Sequence, residues 1–82
     1  MKILDVKRER NSIYDNPAWE IIAIQDDGIV LRGKTAANAD LGYEVKTSWI
    51  GKNVDLAFHK TKTGRIVFDR LLKKESDLEC LR

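Results

Sequence analysis

One cysteine, Cys80, is all the chain has, so no intramolecular disulfide holds it together. One proline, Pro17, stands near the first quarter, and the rest of the chain carries none of the breaks that this residue imposes. No apolar run approaches the roughly 18 residues that a membrane-spanning helix needs. Histidine occurs once, at His59, with no second histidine and no cysteine nearby, and that spacing gives no zinc site. The five glycines are scattered and form no phosphate-cradling motif, which removes a nucleotide fold of the usual kind. No metal or cofactor is expected from this inventory.

What remains is a chain of 82 residues, 43% hydrophobic and 34% charged, the composition of one globular domain spanning 1–82. Its start is charged at Lys2 and Asp5 and has no leader-peptide pattern, so the expected compartment is the cytoplasm, without membrane contact. The formal net charge of +2 is unevenly placed. Residues 1–27 carry −2, residues 28–74 carry +6 and residues 75–82 carry −2. A basic middle between acidic ends fits a solvated surface, and it also fits a basic face for an acidic partner.

Period-two alternation dominates the pattern. Residues 18–25 are β-branched and aromatic and stop at Asp26-Asp27-Gly28, a hairpin signal, because glycine accepts positive φ and aspartate tolerates it. Residues 29–34 run back. From Leu41 to Trp49, apolar or β-branched residues alternate with Gly42, Glu44, Lys46 and Ser48, which predicts a strand. A helix would put Leu41, Val45 and Trp49 on one stripe and leave Tyr43 and Thr47 off it. Residues 54–59 and 65–71 read as two more strands around a turn at residues 61–64, and residues 2–8 as a sixth. Ser76 and Glu79 have capping-box spacing and predict a short C-terminal helix. The expected fold is therefore mainly β. It is a small antiparallel meander of five to six strands, either open and curled or partly closed as an SH3-like barrel. An α+β arrangement is the alternative. Tyr43, Val45, Trp49, Leu56, Phe58, Ile66 and Phe68 are in phase as one buried face.

Three functional classes follow. Asp27 upstream of Glu44-Val45-Lys46 resembles the spacing in metal-dependent nucleases of the PD-(D/E)xK type, where two carboxylates hold Mg²⁺ and the lysine positions water. That pattern needs flanking helices for which this chain has no room, so it stays a remote alternative. Cys80 lies among acids, and His59 has no nucleophile at short spacing, so neither is read as catalytic and the protein is read as a non-enzyme.

Arg32, Lys34, Lys46, Lys52, Lys60, Lys62 and Arg65 form a candidate basic face for nucleic acid, the equipment of a small nucleic-acid-binding barrel. Ile50, Val67 and Leu71 fall where a solvated sheet would be polar and form a candidate apolar face for another protein or a second copy. A regulatory or interaction module that binds protein is the first expectation, and a nucleic-acid-binding barrel the second. No small-molecule substrate is expected.

Overall fold

A computed structural model describes residues 1–74 of the chain. Five strands are present: β1 (Lys2–Glu9), β2 (Ala18–Ile24), β3 (Val30–Thr35), β4 (Val54–Lys60) and β5 (Ile66–Lys74). The expected helix over Ser76 to Glu79 and the surroundings of Cys80 lie outside the described residues.

β1, β2 and β3 form the expected meander, and β4 and β5 form a second hairpin. In the first hairpin Gly28 has φ 87° and donates its N–H to the Gln25 carbonyl at 2.9 Å. The Asp27 side chain accepts the Ile29 N–H at 3.0 Å. In the second, Thr61 and Gly64 close the turn in the same way, with Gly64 at φ 85°. The sheet order is β1-β2-β3-β5-β4. The sheet is mixed rather than wholly antiparallel, because β3 runs parallel to β5 where Gly33, Lys34 and Thr35 meet Ile66, Val67 and Phe68.

Parallel neighbours need a crossover between them. Here it occupies the stretch for which the alternation predicted a strand. Residues Leu41–Glu44 form a single helical turn, α1, and Thr47–Trp49 a 3-10 turn. The strand expected over Leu41 to Trp49 is therefore corrected. Leu41, Val45 and Trp49 are buried at spacing four, while Tyr43 and Thr47 are exposed. Four residues hold no helix by themselves, and packing fixes this one. The Trp19 indole N–H donates to the Gly42 carbonyl at 3.0 Å. Gly42 lies directly against the Pro17 carbonyl, where any Cβ would collide.

The inner side of the curled sheet carries the core: Ile3, Val6, Ile21, Ala23, Leu31, Val54, Leu56 and Phe68, closed by Leu41, Val45 and Trp49. β-Bulges bend the strands. Leu4 of β1 is skipped in the pairing with β2, and Asp69 and Leu72 of β5 are skipped in the pairing with β4. The Asp69 bulge brings Phe68 and Leu71, three residues apart, onto the same inner side. The two outer strands approach at one end only. There Lys2 bridges Asn53, Ile3 N–H donates to the Lys52 carbonyl at 2.9 Å, and Val54 N–H donates to the Met1 carbonyl at 2.8 Å. The sheet is not closed, and its curl is that of a partly open barrel. Among the described residues no helix is long and apolar enough to cross a membrane.

Candidate functional site

β2 holds one edge of β3 along most of its length, from Val30 to Lys34. Its other edge meets β5 only from Gly33 onward. Val30, Leu31 and Arg32 therefore have no strand neighbour on that side among the described residues. The β4–β5 turn stands beside this gap. Between them lies an open groove of about 790 Å³.

Alternation decides what lines it. Leu31 and Thr35 point into the core, so Arg32 and Lys34 point out. Pairing sets Lys7, Glu20, Lys34, Val67 and His59 in one row across the five strands. Arg32 and Lys34 thus form one wall of the groove, Thr61, Thr63 and Arg65 form the other, and Val67 lies between. Glu20 is the single carboxylate in the lining and forms an ion pair with Arg32 at 3.3 Å. Lys34 and Arg65 make no salt bridge among the described residues. The groove thus presents three cations against one anion.

The expected basic residues divide accordingly. Arg32, Lys34 and Arg65 come together in the groove, with Lys60 and Lys62 exposed on the hairpin that forms its far wall. Lys46 lies on the crossover before the 3-10 turn, and Lys52 lies at the β1–β4 seam, so neither joins them. The expected apolar set separates as well. Ile50 is exposed after the 3-10 turn, Val67 lines the groove, and Leu71 packs on the core.

Other surface features escaped the pattern. Ile29 and Val30 are more than half exposed, and Ile22 and Ile24 on the neighbouring strand are half-buried. The signal for them was the unbroken apolar pair Ile21-Ile22, since two consecutive strand residues cannot both face the core. Tyr43, expected in the core, is exposed, with its hydroxyl 3.4 Å from Asn16 Oδ1. Trp19 packs on the core.

The residues of the nuclease-like spacing do not share a strand. Asp27 is in the β2–β3 turn, Glu44 ends α1, and Lys46 lies in the link that follows. A second hollow of about 360 Å³ is lined by Met1, Gln25, Asp26, Asp27 and Asp55, and there the N-terminal ammonium donates to Asp55 at 2.9 Å. Among the described residues no three His, Cys, Asp or Glu side chains group so as to hold a metal ion. His59 Nδ1 lies 2.7 Å from Asp69 Oδ2 on the exposed face. The chain matches no family model, no curated protein and no solved structure.

Proposed function

We propose that this chain is a non-enzymatic nucleic-acid-binding protein, and that a strand lies in the groove between β3 and the β4–β5 turn. The observation that carries this reading is the convergence of Arg32, Lys34 and Arg65, brought from two separate parts of the chain to the walls of one open groove. Phosphate oxygens are the ligand for such a set, because cations on opposite walls track a line of charge better than a point charge. Thr61 and Thr63 lie beside them with their hydroxyl oxygens 3.0 Å apart, and the one that accepts in that bond keeps its own proton for a phosphate oxygen.

The strand layout adds a likeness of fold. Five-stranded, partly open Greek-key barrels of the OB type bind oligonucleotides on the face of their second and third strands, flanked by the loop between the fourth and fifth. The groove occupies the corresponding position. Fold alone does not give function, and the groove chemistry bears the weight.

The test is binding of a fluorescent oligonucleotide followed by anisotropy at several salt concentrations. Affinity falls steeply with salt for the native chain and is weakened by Lys34→Ser with Arg65→Ser. No binding at low salt overturns the reading.

A second reading is that the chain binds another protein. The exposure of Ile29 and Val30 beside Ile22 and Ile24 favours it, since burying such a surface is favourable at about 25 cal/mol per Å². A partner held there binds with little dependence on salt, and Val30→Glu abolishes it while oligonucleotide binding persists.

A further inference from the structure

We infer that the groove holds the phosphodiester backbone of a single strand and leaves its bases free, so that a strand without bases is bound as well as one that has them. This rests on the nucleic-acid reading above and adds which part of the ligand is recognised.

Proteins that hold single strands combine a basic track with aromatic rings on which successive bases stack. The chain has six aromatic residues, all within residues 1–74, and none of them lines the groove. Trp49 and Phe68 are buried in the core, and Trp19 packs on it with its indole N–H bonded to the Gly42 carbonyl at 3.0 Å. Phe58 leans on Phe68, with ring centroids 6.1 Å apart. Strand alternation is the cause. Trp19, Phe58 and Phe68 stand in the inward phase of their strands, whereas the groove is built from the outward residues Arg32, Lys34 and Val67. Tyr14 and Tyr43 are exposed, but they stand on the β1–β2 loop and on α1. There the Tyr43 hydroxyl lies 3.4 Å from Asn16 Oδ1 of the same loop.

Side-chain amides, which pair with base edges, are placed elsewhere as well. None of the four asparagines lines the groove, and Gln25, the single glutamine, lines the second hollow. Of the two guanidinium planes in the lining, that of Arg32 is held by Glu20 at 3.3 Å. The other belongs to Arg65, whose fork fits two oxygens of one phosphate. Lys34 offers a point charge. Between the walls the lining is aliphatic, with Ile66 and Val67, and meets sugar carbons rather than a ring face. Contacts to phosphate and sugar fix where a strand lies and carry no information about its bases.

The difference is large enough to measure. A base stacked on an aromatic ring tightens binding about 5- to 150-fold, so even one such platform shows in a single comparison. Without one, affinity comes from the counterions that the phosphates release, and it follows salt rather than base.

The test uses the full chain and three end-labelled strands of equal length, followed by anisotropy at several salt concentrations. One is a thymidine oligonucleotide, one an adenosine oligonucleotide and one an abasic deoxyribose-phosphate chain. All three are expected to bind within about fivefold of one another at every salt concentration, less than the gain from one stacked base. Tyr14→Ala with Tyr43→Ala is expected to leave all three affinities within the same margin. An abasic strand that binds more than fivefold more weakly than either oligonucleotide overturns the inference and leaves the nucleic-acid reading standing. So does a loss of more than fivefold for the oligonucleotides in the double tyrosine variant. If none of the three strands binds at low salt, the nucleic-acid reading fails and the inference falls with it.

Discussion

Gly33 and Ile66 approach so closely that no side chain fits between them: a Cβ on Gly33 would run into the Ile66 carbonyl group. This is where β3 first meets β5, and it is the only parallel joint among the described residues. Gly33→Ala must push the two strands apart, with a loss of about 1–3 kcal/mol expected for an overpacked site. Urea unfolding measures it. A variant as stable as the native chain would show that the joint is looser than described.

Thr35 is the buried polar residue at the other end of this joint, 6% exposed. Its hydroxyl accepts the Trp19 N–H at 3.1 Å, beyond the last pair that β2 makes with β3. Thr35→Val keeps the shape and removes the acceptor, leaving a part-buried N–H unsatisfied. The expected loss is about 1–3 kcal/mol, and Thr35→Ser, which keeps the hydroxyl, loses less. Equal losses in thermal melts of the two variants would assign the effect to packing instead.

Phe68 and Phe58 touch, but only Phe68 is wholly buried. Phe68→Ala is expected to cost about 3–5 kcal/mol, and Trp49→Ala a similar amount despite its place in an irregular crossover. Phe58→Ala costs less than Phe68→Ala, because its ring is already 36% exposed. Denaturant midpoints order the three.

Binding of a single strand of nucleic acid has a salt slope that counts the phosphates neutralised, about 0.7 for each. Removing Lys34 and Arg65 together lowers the slope by about 1.4 if each engages one phosphate. Removing Lys46 and Lys52 together leaves it unchanged, because neither lines the groove. Equal effects from the two pairs would mean that net charge, and not the groove, binds the ligand.

Much of the site was legible as composition but not as geometry. The seven candidate cations were visible in the basic middle of the chain. Their division into groove, hairpin and seam was not, because Arg32 and Arg65 are joined only by the parallel pairing of β3 with β5, and nothing local to either strand specifies that pairing. Ile50, Val67 and Leu71 looked equivalent in the alternation. The Asp69 bulge shifts the phase of β5 between the last two and turns Leu71 to the core.

By itself the sequence determined the strands and both hairpin turns. These are local matters: alternation selects one face for burial, and glycine at 28 and 64 takes the positive φ that each turn requires. It pointed the wrong way for the stretch from Leu41 to Trp49, where Tyr43 and Thr47 complete a period-two pattern and favour a strand, although Leu41, Val45 and Trp49 at every fourth position also satisfy a period near four. Only the tertiary structure decided between them. Parallel pairing of β3 and β5 requires the chain to cross over, the carbonyl of Gly42 is met by the indole of Trp19, and the open end of the barrel buries Leu41, Val45 and Trp49 together. A strand there would have buried Tyr43 as well and left the core uncapped, so the burial available in the assembled fold, rather than local preference, set the conformation.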